Sequence, residues 1–161
     1  MTVMNVEKDP DNLTMTITAE FEAPIDRVWQ LYADPRELEQ WWGPPTYPAT
    51  FVDHDLASGG AMSYYMTGPE GDQHHGWWRV LEVDAPRSFE IEDGFGDETG
   101  APDPNMPVTN MRVDLTEEGG GTKVTIVSTF SSREAMQQVI DMGVEEGLRQ
   151  AMGQMDDVLA A

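Results

Sequence analysis

Leu13 to Phe21 reads LTMTITAEF and alternates apolar and polar side chains without a break. A period of two predicts a half-buried strand with Leu13, Met15, Ile17, Ala19 and Phe21 facing inward. Pro24 then opens a helix at its favoured first position, carrying Val28, Trp29, Leu31 and Tyr32, and Asp34-Pro35 breaks it. A second short helix runs from Pro35 to about Gln40 and into Trp41-Trp42, where Gly43-Pro44-Pro45 ends it. Strand signals follow at 47–53, 61–67, 73–83, 88–92, 108–116 and 123–130, separated by turns at Ser58-Gly59-Gly60, Gly68–Gly71, Asp84-Ala85-Pro86 and Glu117–Gly121. Residues 94–107 are loop by composition, rich in glycine, proline and acidic side chains.

The period changes near the end. Met136, Ile140, Val144, Leu148, Met152, Met155 and Leu159 step by three or four, one face of a long helix that Ser131 or Ser132 can cap. Beside that face runs a ridge of Gly143, Gly147 and Ala151. Each glycine costs about 1 kcal/mol against alanine inside a helix, so the ridge implies either close packing on the sheet or empty space beneath the helix.

The expected order is one strand, two short helices, six strands and one long helix. Hairpin connections make the sheet antiparallel. The fold class is α+β: a curved antiparallel sheet wrapped around a long C-terminal helix, in one domain spanning 1–161. A strongly curved sheet around one helix leaves a hollow, and hollows of this kind bind small molecules.

Charge narrows the function. Nine Lys+Arg against thirty Asp+Glu give −21, a field that repels phosphate backbones and anionic lipid, so neither nucleic acid nor a membrane surface is expected as a partner. Cysteine is absent, which removes thiol chemistry and disulfides. The N-terminus has no apolar core of a signal peptide, and a cytoplasmic location is expected.

The order and motifs together resemble the SRPBCC or Bet v 1-like superfamily, the helix-grip fold, in the branch named for the activator of the heat-shock protein 90 ATPase. The matching pieces are FEAPIDRVWQLYADP (21–35), WWGP (41–44), Asp55 to Gly60 with MSYYMTGPEG (62–71), RVLEVDAPRSFEI (79–91), GGGTKVTI (119–126) and the closing helix. The resemblance implies a mostly apolar cavity between sheet and helix. It also implies roles in ligand carriage, polyketide cyclisation, sequestration of toxic metabolites or co-chaperone action.

Trp41 and Trp42 either plug the open end of the sheet together or divide the work, one sealing and Trp42 lining the rim. Alternation nominates Met62, Tyr64 and Met66 from one strand, and Trp77 from the next, with Trp78 as its alternative. Phe89, Met111, Met136 and Ile140 complete the apolar wall. His75 facing inward would orient a polar ligand group beside Tyr64, and an edge histidine in solvent is the alternative. If Trp77 faces inward, the alternation turns Arg79 inward too, and it then needs an anion partner, a ligand carboxylate or an internal Glu or Asp, with the internal partner favoured. The 94–107 loop is read as a flap at the cavity mouth or as a solvated excursion. His and Cys spacings for a metal are missing, and the acidic loop from Asp93 fails the EF-hand pattern because its twelfth position is Pro104.

The expected function is binding of a small, largely apolar molecule, with no cofactor, no metal and no assigned catalytic residue. A cyclase or metabolite-neutralising enzyme and a co-chaperone-like interaction module are the alternatives, and a homodimer stays open. The charge leaves two further readings, a surface tuned for solubility or one adapted to high internal salt. A melting temperature that rises between low and molar salt is expected for the second, and an unchanged one for the first.

Overall fold

The computed structural model describes residues 3–160. The elements are β1 (Val3–Asp9), β2 (Thr14–Phe21), α1 (Ile25–Ala33), α2 (Pro35–Trp41), β3 (Ala49–Asp53), β4 (Ala61–Thr67), β5 (Gln73–Asp84), β6 (Ser88–Phe95), β7 (Thr109–Glu118), β8 (Gly121–Thr129), α3 (Arg133–Asp141), α4 (Val144–Gly153) and α5 (Met155–Ala160). One eight-stranded sheet runs in the order β1-β2-β8-β7-β6-β5-β4-β3, every neighbouring pair antiparallel. The helices cover its inner face, as the helix-grip expectation requires. Among the described residues no helix is long and apolar enough to cross a membrane.

Three expectations need correction. β1 is an eighth strand, beyond the seven that the pattern predicts. Its Met4 and Val6 are only half-buried at the sheet edge, so its alternation is short and weak. Leu13 does not begin β2. It is a turn residue at φ 58°, half-buried against the core, and its carbonyl accepts from the Phe130 N–H at 2.9 Å. The long helix is three helices. Gly143 adopts φ 80°, a left-handed conformation open to glycine without a Cβ clash, and it separates α3 from α4. The apolar stripe survives these breaks, with Met136, Leu148, Met152 and Met155 buried.

Asp34-Pro35 works as a helix start: the Asp34 carboxylate accepts the Arg36 N–H at 2.9 Å, and proline stands where its missing N–H is harmless. The same helix covers an exposed sheet edge. Glu39 Oε2 accepts the Phe51 N–H at 2.7 Å and Arg36 Nη2 donates to the Phe51 carbonyl at 3.2 Å, so β3 does not present these groups to another chain.

The two tryptophans at the end of α2 divide the work. Trp41 is fully buried and its Nε1 donates to the Leu31 carbonyl at 2.8 Å. Trp42 packs edge-on against Trp41 at 5.6 Å and Trp78 at 4.9 Å, and its Nε1 has no partner. Gly43 is required by close approach, since a Cβ there would lie 2.0 Å from the Tyr47 carbonyl oxygen. Gln154, between α4 and α5, donates to the carbonyls of Trp41 at 3.3 Å and Gly43 at 2.6 Å. Trp41→Phe orphans a buried carbonyl, whereas Trp42→Phe removes an N–H that lies near the Tyr64 hydroxyl without a hydrogen bond of ordinary geometry. In urea unfolding the first is expected to cost about 1–3 kcal/mol more than the second.

Candidate functional site

A cavity of about 270 Å³ lies between α4 and the inner face of β4 to β7. Trp42, Tyr64, Met66, Phe95, Met111 and Leu148 supply most of its wall, and Met142, Val144 and Gly147 border it from the helical side. Gly147 makes part of the room: a Cβ there would meet only Pro44 Cγ, at 3.8 Å. The small-residue ridge therefore serves two ends, with Gly147 beside the hollow and Ala151 packed in the core.

The polar end of the cavity is Asp93, on β6. It lies opposite Trp78 in the sheet register and near the Tyr64 hydroxyl, and the wall around it is aromatic. Tyr64 owes its position to Gly76, its cross-strand partner. A Cβ on Gly76 would fall 2.4 Å from the phenol oxygen, so only glycine lets the ring lie across β5. Burial pushes the Asp93 carboxyl up to about 7, against the opposing pull of the Tyr64 hydroxyl and the Trp78 indole. Burial also pushes the Tyr64 phenol well up, and the Asp93 charge adds to that shift. The indole N–H groups of Trp42 and Trp78 are buried with no hydrogen-bond partner of ordinary geometry. Among the described residues no group of three or more His, Cys, Asp or Glu could hold a metal ion.

Of the residues nominated from sequence, Trp42, Tyr64, Met66, His75 and Met111 border this cavity. Met62, Phe89 and Met136 are buried in the core away from it, and Ile140 is half-buried against that core. Trp78, not Trp77, faces inward and is 1% exposed. Trp77 lies on the outer face, its ring across Gly94 and its Nε1 donating to the Phe95 carbonyl at 3.1 Å. Arg79 follows it outward and pairs with Glu92, so no arginine enters the cavity. His75 reaches the rim, but its ring turns to the outer face, 5.8 Å from Tyr65 and beside Gly100. His74 takes the inner register position opposite Met66, and its Nε2 lies 2.6 Å from Asp72 Oδ2.

The 94–107 segment is ordered, and its Asp97, Glu98, Asp103 and Met106 share a cleft with His74, His75, Phe95 and Met142 at the cavity rim. β6 continues to Phe95, and only Gly94 and Phe95 of the segment line the cavity. The remainder folds back through a Gly96–Pro102 bridge, held by the Asp97 carboxylate, which accepts from the N–H groups of Thr99 at 2.8 Å and Ala101 at 3.1 Å. Asp93 itself was missed because the strand was ended at Glu92. Carrying the alternation Phe89-Ile91 on by one step brings Asp93 to the inner face.

A wider groove of about 830 Å³ runs past Trp77, Arg79 and Glu92. It is open, and its arginine is already paired with Glu92.

The raised carboxyl has a consequence for stability. The unfolded chain releases the Asp93 proton near 3.8, and the folded chain holds it to about 7. Between those values the folded state binds the extra proton, so this contribution is complete below pH 4 and is lost as pH rises through 7. Asp93→Asn mimics the protonated form. Chemical denaturation is expected to find it equal to the wild type near pH 4 and more stable at pH 8, by at most about 4 kcal/mol.

The family model described as activator of Hsp90 ATPase homolog 1-like protein matches residues 22–160. The crystal structure of protein Ms6760 from Mycobacterium smegmatis is 53% identical, covers 96% of this chain and 95% of its own, and superposes with a TM-score of 0.90. A solution structure of a protein from Arthrobacter aurescens is 49% identical, with 97% and 91% covered and a TM-score of 0.93. One from Staphylococcus epidermidis is 33% identical, with 98% and 94% covered and a TM-score of 0.84. No curated protein matches the chain. The match over 22–160, together with relatives at this identity and coverage, means that the chain belongs to the activator of Hsp90 ATPase homolog 1-like family.

Proposed function

We propose that the protein binds a small, largely apolar molecule in the cavity beneath α4. The observation that carries this reading is a hollow of about 270 Å³ with an aromatic and methionine wall and one polar end. A densely packed core leaves few voids larger than a water molecule, so a hollow of this size is a built feature. Methionines Met66, Met111 and Met142 border it, and their flexible thioethers adapt to a ligand's shape. Trp42 stands between the hollow and the buried Trp41, where it would act as the inner gate.

A second reading draws on Asp93. An enzyme of the cyclase or metabolite-neutralising type needs a titratable group inside the cavity with a displaced pKa. Asp93 supplies one, with Tyr64 beside it. Against the co-chaperone reading, Met142 is the exposed large apolar residue near the mouth, and the others, Val52, Leu81 and Val108, are on β3, on β5 and ahead of β7.

Native mass spectrometry of protein purified gently from its own host separates the two. A retained mass that vanishes on denaturation is expected for a carrier, and a clean apo mass favours an enzyme that releases product. Gly147→Phe fills the hollow from a helical position without a backbone clash. It is expected to lose the retained mass while melting at or above the wild-type temperature, since it also removes a glycine from α4.

A further inference from the structure

The polar groups around the cavity are unequally distributed. Asp93 supplies an acceptor that faces the hollow, while Tyr64, Trp42 and Trp78 supply donors on the protein side of it. No ion pair among the described residues includes Asp93; its register partners are Trp78 and Thr109, and the arginines of the two neighbouring strands stand opposite Glu92 and Glu90. Arg79 on β5 pairs with Glu92, and Arg112 on β7 pairs with Asp114 at 3.1 Å, both on the outer face. A half-buried carboxylate among aromatic side chains is costly without a countercharge, and the protein's own cations are turned away from it.

We propose that the molecule bound in this cavity carries a cationic head group, a protonated amine on a compact apolar body, seated on the Asp93 carboxylate between the Trp42 and Tyr64 side chains. The inference rests on the apolar-cavity reading above and adds the chemistry of the head group. An ammonium supplies the countercharge that the carboxylate lacks, as a charge-assisted pair. Aromatic walls attract the same charge through their ring quadrupoles. No lysine or arginine lines the hollow, so nothing there repels a cation, and the net charge of −21 draws cations toward the protein. A carboxylate ligand would meet Asp93 with like charge. A ketone, which only accepts, could use Asp93 only in its protonated form, and an alcohol would donate to the carboxylate without neutralising it.

The titratable groups that face Asp93 are few. β4 contributes Tyr64, and β5 contributes His74 at the rim, the His75 ring being turned to the outer face. The turn after α2, β7 and α4 contribute Trp42, Pro44, Met111, Val144, Gly147 and Leu148, none of them titratable. Amine binding should therefore strengthen as pH rises and Asp93 ionises. An Asp93 variant isolates the contribution of that carboxylate.

The test compares 2-phenylethylamine, 2-phenylethanol and phenylacetate, which share one apolar body, by NMR titration of the full chain at pH 5.5 and 8.5. At pH 8.5 the amine is expected to bind about tenfold more tightly than the alcohol, and phenylacetate most weakly. Amine affinity should fall at pH 5.5. Asp93→Asn should abolish the amine's advantage over the alcohol, the loss being that of one charge-assisted contact. An alcohol that binds in the cavity as tightly as the amine, an amine that tightens at low pH, or an Asp93→Asn variant that keeps the preference would overturn the head-group assignment and leave the apolar-cavity reading standing. If none of the three probes perturbs the Trp42 indole and Leu148 methyl signals, the cavity reading itself fails, and this one with it.

Discussion

The end of α2 depends on one side-chain amide. Helix termini leave carbonyls without partners, and here they lie beneath other helices. Gln154 Nε2 donates to the carbonyls of both Trp41 and Gly43, and Gln154 stands at the break between α4 and α5. That contact sets where the C-terminal helices cross α2. It places Gly147 over Pro44 and so opens the space that Trp42, Tyr64 and Asp93 border. The glycine at position 43 is part of the same constraint, because any side chain would drive the turn into the Tyr47 carbonyl.

Electrostatics on β6 turns on a single step of the pleat. Glu92 and Asp93 are neighbours in sequence and face opposite sides of the sheet. Glu92 meets Arg79 on the outer face, where water screens the pair and its contribution is small. Asp93 meets aromatic side chains on the inner face and keeps its proton to about 7. The same carboxyl chemistry is ordinary on one side and strongly perturbed on the other. A perturbed carboxyl in a cleft is the usual mark of a working site rather than of a structural one.

Two glycines carry aromatic rings across strands, and they do so on opposite faces. Gly76 receives Tyr64 inside, and Gly94 receives Trp77 outside. The inner pair shapes the cavity floor. The outer pair closes β5 against β6 where the 96–102 segment folds back.

The strands from β2 to β8, the two helices around Asp34-Pro35 and the apolar stripe of the closing helices were all legible, because period and turn chemistry are local properties of a chain. So was the family resemblance and the choice of Trp42, Tyr64, Met66 and Met111 as inward residues. What local pattern could not settle was phase where both neighbours are aromatic. Trp77 and Trp78 fit either face, and the register with Gly94 and Met62 decides between them. Nor could periodicity show that Gly143 breaks the closing helix in a left-handed turn, that Gln154 holds Trp41 and Gly43, or that Asp93 lies without a cation inside the sheet. The sequence by itself determined which side chains can share a face. Only the tertiary structure decided which face was buried, how much space was left there, and what charge a carboxyl in that space would bear, since burial and proton affinity depend on neighbours distant in the chain.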